Sequence, residues 1–138
     1  MTLHPAVAEE LLEAEIDAAR LRLGDRITMI TREGTDVFCR VDGTNVGSVT
    51  IRLEGREFDA EPFRVAVVDE RGVVVPHEGW PGSLSLGPHP LLGRPFACIQ
   101  GTYEYHAHPT HLADRWDTYR NQIRLPQLLD FLLRKAGR

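Results

Sequence analysis

The chain has 138 residues, a hydrophobic content of 42% and a formal net charge of -4, enough for one domain with a real core. The acidic balance, with basic residues scattered among acids, argues against nucleic acid and against an anionic membrane surface as partners. No run approaches the roughly 18–20 apolar residues of a bilayer span, and no signal-peptide pattern opens the chain, so the expectation is a cytoplasmic protein whose two cysteines, Cys39 and Cys98, remain thiols.

Pro5 suits a first helical turn, and Leu12, Ile16, Ala19 and Leu23 recur with helical spacing, predicting an amphipathic helix over 5–23 that Gly24 ends. Runs of two-residue alternation follow at 27–31, 36–41, 46–53 and 63–68. Glu33-Gly34, Asp42-Gly43 and Glu54-Gly55 read as turns, predicting an antiparallel four-strand meander. Val37, Cys39 and Val41 share one face of the second strand, which places Cys39 in the core as an inert thiol. Residues 75–94 are dense in Pro and Gly but carry Trp80, Leu84, Leu86, Leu91 and Leu92, so they read as an ordered loop that packs on the sheet.

Beyond that loop, Phe96-Ala97-Cys98-Ile99 reads as a short apolar strand ending in a thiol, and a polar run with His106, His108, His111 and Asp114 follows. The last element begins near Pro126, where Leu125, Leu128, Leu129, Leu132 and Leu133 form a helical stripe. Residues 1–138 thus read as a single α+β domain with helices on one face of an antiparallel sheet.

A thiol close to imidazoles is what nucleophilic thiol chemistry needs, because an imidazole can take the thiol proton and pass it on. His106 and His108 are the candidate partners of Cys98, and Asp114 is placed to orient a histidine. His89, before Pro90, reads as a turn-fixing residue. The pattern His-x-His-x-x-His with Asp114 three residues on also contains zinc ligand types, although Pro109 interrupts it and no second cysteine is near.

The element order, with Glu61-Pro62-Phe63 leading into the fourth strand, His89-Pro90 nine residues before Cys98, and Trp116 beyond it, resembles the ubiquitin-conjugating enzyme family. The match is specific only over residues 89–99. It implies a ubiquitin-conjugating-like fold in which Cys98 carries the C-terminus of a ubiquitin-like protein as a thioester, received from an activating enzyme and passed to an amine of a protein target. No cofactor is implied, and divergent bacterial relatives of the family imply a conjugation pathway of the kind used in antiphage defence. Two departures stand out. Leu91 occupies the position of the family's asparagine and cannot donate a hydrogen bond to an oxyanion, and Trp116 follows Cys98 by eighteen residues, a longer gap holding the histidine run. The other readings are a non-catalytic or zinc-binding module of the same fold that binds proteins, and a small thiol hydrolase with a Cys-His pair.

Overall fold

The computed structural model describes residues 3–138. Helix α1 spans Pro5–Leu23, and the side chain of His4 accepts a hydrogen bond from the Ala6 amide at its start. Its stripe of Ala8, Leu12, Ile16, Ala19 and Leu23 is buried, as the helical spacing requires. Four strands follow, β1 (Met29–Glu33), β2 (Asp36–Thr44), β3 (Gly47–Glu54) and β4 (Arg64–Val68), paired antiparallel in the order β1-β2-β3-β4. This is the α+β arrangement of helix, meander and C-terminal helices expected from the pattern.

Register explains where the expected bounds moved. Gly24–Arg26 adds a 3-10 turn after α1, so β1 begins at Met29 and not at Ile27. Asp42-Gly43 is not the second turn. Both residues lie inside β2, where pairing slips between Val41 and Thr44, and the chain reverses between Thr44 and Gly47. A β-bulge of this kind absorbs the backbone conformation of Gly43, whose φ is +72°.

The inner face of the sheet presents Val37, Cys39 and Val41 from β2 with Ile51 and Leu53 from β3, all fully buried. Burial pushes the Cys39 thiol up to about 12, fitting an inert core residue. Helix α4 (Leu125–Lys135) packs against α1 and sinks Leu128, Leu129, Leu132 and Leu133 into the same core. Its polar edge is tied to α1 and the turn after it, for Asp130 accepts from Arg22 at 3.2 Å and from Arg26 at 2.7 Å.

Between β4 and α4 no element exceeds four residues. The turn His77–Gly79, helix α2 (Tyr103–His106), the turn Pro109–His111 and helix α3 (Trp116–Tyr119) punctuate an otherwise irregular path. The apolar run 96–99 is one correction to the sequence reading. It forms no strand: Phe96 bonds to Leu86 and Gly87, the Ile99 amide turns back to the Ala97 carbonyl at 3.0 Å, and Cys98 lies in a loop. No helix among the described residues is long and apolar enough to cross a membrane.

Candidate functional site

The loop leading to Cys98 closes on itself before it reaches the thiol. Leu86 N–H donates to the Phe96 carbonyl at 3.0 Å and His89 N–H to the Arg94 carbonyl at 2.8 Å, forming a tight antiparallel excursion around Pro88 and Pro95. At its centre His89 is 1% exposed. Its Nδ1 accepts from the Leu91 and Leu92 amides, each at 3.1 Å, and its Nε2 lies 2.9 Å from the Glu104 carbonyl. Amides only donate and a carbonyl only accepts, so the ring carries its proton on Nε2 and serves the turn, the role read for it from the sequence. Leu91 itself points outward and is 67% exposed.

Glu104 was not singled out by sequence reasoning, and it is the buried anchor of the whole segment. Its carboxylate accepts from the Val65 amide at 2.9 Å and from Arg94 Nη2 at 2.8 Å, tying β4 to the loop. Burial raises its pKa, opposed by the Val65 amide and the Arg94 guanidinium. A single glutamate in a polar run carries no periodic signal, so only the fold reveals it. Thr102 begins α2 by accepting from the Tyr105 amide at 3.1 Å while its hydroxyl donates to the Ile99 carbonyl at 2.9 Å.

These anchors present Cys98 part-exposed, with its Sγ 3.6 Å from His111 Nε2. The imidazole that reaches the thiol is therefore His111, which sequence reasoning passed over in favour of His106 and His108. His106 and His108 are engaged elsewhere. His106 Nε2 accepts from the Gly101 amide at 3.1 Å and its Nδ1 donates to the Asp114 main-chain carbonyl at 2.7 Å, so both ring nitrogens are committed to backbone. Gly101 is suited to this approach, for φ is +106° and a Cβ there would fall 2.6 Å from Ile123 Cγ2. His108 Nδ1 accepts from the Thr110 amide and hydroxyl at 3.2 and 2.8 Å, and its ring packs against those of His89 and Phe96, at 5.5 and 5.8 Å. His108 starts the turn Pro109–His111 that swings His111 back over Cys98.

Asp114 sits one layer behind. Its Oδ2 accepts from the Tyr105 hydroxyl at 2.5 Å and from Gln100 Nε2 at 2.8 Å, and a third hydrogen bond comes from Tyr119. Led by the Tyr105 hydroxyl, these donors hold its pKa down to about 2, while the same carboxylate pushes the Tyr105 phenol up to about 12. A carboxylate so stabilised is a poor proton acceptor and a good positioning group. Tyr105 carries its influence forward, since the Tyr105 and His111 rings stack at 4.0 Å with 12° between their planes.

The thiol itself carries an opposing effect, because burial raises the Cys98 pKa. The arrangement can nevertheless move a proton between sulfur and nitrogen and expose the sulfur to an acyl group. The zinc alternative loses its ligand set, because His106 has no free ring nitrogen and the described residues contain no group of three or more His, Cys, Asp or Glu side chains arranged to hold a metal ion. No family model matches this chain, and comparison with curated proteins finds no significant relative.

Proposed function

We propose that this chain is a ubiquitin-conjugating-like acyl carrier, with Cys98 as the nucleophile, in a bacterial conjugation pathway of the cytoplasm. The observation that carries the reading is the Cys98–His111 pair, 3.6 Å apart, on a loop that follows a helix, a four-strand meander and a His-Pro turn. In loading, the Cys98 proton passes to His111 Nε2. The thiolate then attacks the thioester carbonyl of a ubiquitin-like protein held on its activating enzyme, forming the Cys98 thioester and releasing that enzyme's thiol. In transfer, a neutral amine of a protein target attacks the Cys98 thioester, an amide forms, the amine's proton passes to His111 Nε2, and the sulfur leaves as thiolate. His106 and Asp114 act in this reading as positioning residues, and His108 as the residue that sets the turn carrying His111.

The test is incubation with a co-encoded activating enzyme, ATP and ubiquitin-like protein. A reductant-sensitive adduct that disappears in Cys98→Ala is the expected result, and an adduct that survives in Cys98→Ala overturns the assignment of the nucleophile. A second reading, a non-catalytic protein-binding module of the same fold, is favoured by the burial that raises the Cys98 thiol and by Leu91 in place of a side-chain donor. It predicts retention of the ubiquitin-like protein on the chain with no adduct at all.

A further inference from the structure

We infer that Tyr105 is a positioning residue for the thiol: its ring holds His111 in line with Cys98 Sγ, and Asp114 in turn holds the ring. Three observations converge on it. The face of Tyr105 lies 4.0 Å from the His111 ring and nearly parallel to it, the geometry in which an aromatic face supports a cation. The Tyr105 hydroxyl donates to Asp114 at 2.5 Å, which fixes the ring's rotation and enriches it in electron density. Finally, α2 is capped by Thr102 at the Tyr105 amide, so backbone and side chain of Tyr105 are both pinned.

When the proton of Cys98 moves to His111 Nε2, an imidazolium appears against that ring face and a thiolate appears beside it. The pair is neutral overall, and the burial that disfavours a lone thiolate is offset by charge on both sides of the sulfur–nitrogen contact. The remaining charged or titratable neighbours come from three elements. His108, from the turn carrying His111, has its ring 5.5 Å from that of His111; His106 of α2 lies 4.9 Å from the Tyr105 ring; and Tyr119 of α3 hydrogen-bonds to Asp114. Asp114 stays ionised and Tyr105 stays protonated across the range in which a thiol titrates, so both act as a constant background.

The role of this contact in acyl transfer rests on the function proposed above, but the thiol can be read without conjugation. Alkylation of full-length protein by iodoacetamide is followed from pH 5 to 10 by mass spectrometry of the Cys98 peptide, which separates it from Cys39. Tyr105→Leu is expected to slow the pH 7 reaction about fivefold, the size of an aromatic–cation contact, with the limiting rate at high pH unchanged. Tyr105→Phe, which keeps the stack and loses the anchor, recovers part of that loss. His111→Ala slows it by about tenfold or more, and adding Tyr105→Leu to His111→Ala changes nothing further, because Tyr105 acts through the imidazole. Circular dichroism on the same samples separates loss of positioning from loss of fold. A folded Tyr105→Leu protein whose profile superposes on the wild type overturns the inference, as does a His111→Ala profile identical to the wild type. Either outcome leaves the acyl-carrier reading to its own adduct assay.

Discussion

From α1 through the sheet to α4, apolar side chains that recur with the period of their element hold the backbone, whereas from residue 86 to 123 polar side chains do. In the first region Leu12, Ile51 and Leu129 are interchangeable in kind, since each fills volume in one continuous core. In the second region His89, Thr102, Glu104 and Asp114 are individual, each satisfying particular amides or hydroxyls that would otherwise lack partners. The contrast teaches that a short, irregular segment can be as fixed as a helix when most of its buried polar groups are paired, Arg94 Nε being an exception, and that its loss is local.

The sharpest way to break this comparison sets one variant from each region side by side. Leu129→Ala, in the fully buried stripe of α4, is expected to cost about 3–4 kcal/mol of global stability in a denaturant titration. Glu104→Ala leaves the Val65 amide and the Arg94 guanidinium without their partner and is expected to cost about 3 kcal/mol, held to the low end because Arg94 keeps some solvent. The two differ in where the cost falls. Hydrogen exchange should show lost protection confined to residues 86–123 and the β4 edge for Glu104→Ala, and spread through the core for Leu129→Ala; identical patterns would erase the distinction.

Two carboxylates ten residues apart give a second handle, because their linkages to pH have opposite signs. The pKa of Asp114 is lowered, so it contributes stability above its ordinary value of 3.8, and that contribution drains away as pH falls to about 2. The pKa of Glu104 is raised by burial, so its contribution is greatest below the ordinary value of 4.5 and declines as pH climbs through the folded value. As the solution is acidified toward pH 2, the melting temperature of the wild type should therefore fall relative to Asp114→Asn and rise relative to Glu104→Gln. The smallest effect on stability is expected from Leu91→Asn, within about 0.5 kcal/mol for an exposed side chain. That variant introduces a side-chain donor at residue 91, and under the acyl-carrier reading it should speed discharge to an amine while leaving Cys98 loading unchanged.

The division also accounts for what could be read in the sequence. Helices α1 and α4 and the four strands were legible because periodic burial leaves a periodic trace, and Cys39 was placed correctly by the same logic. The displaced second turn was not, since Asp42-Gly43 has turn chemistry whether it forms the reversal or the bulge beside it. At the site, the loop, the thiol and the structural role of His89 were readable, but the choice among three histidines was not. The turn at Pro109 reverses the chain so that His111, thirteen residues after Cys98, meets the sulfur, while His106 turns to the Gly101 amide. Spacing alone cannot say which of three imidazoles finds its hydrogen bonds in the backbone.

The covering of β4 has a bearing on how this molecule meets others of its kind. The outward Val65 amide is taken by Glu104, the Phe63 carbonyl by the Tyr103 amide and the Val67 carbonyl by the Val75 amide. A sheet edge so occupied offers little to a strand from a second molecule, which is how folded proteins escape edge-to-edge aggregation. Glu104, which holds the thiol loop, therefore also covers this edge, and a lesion there is expected to show itself as self-association as well as a loosened loop.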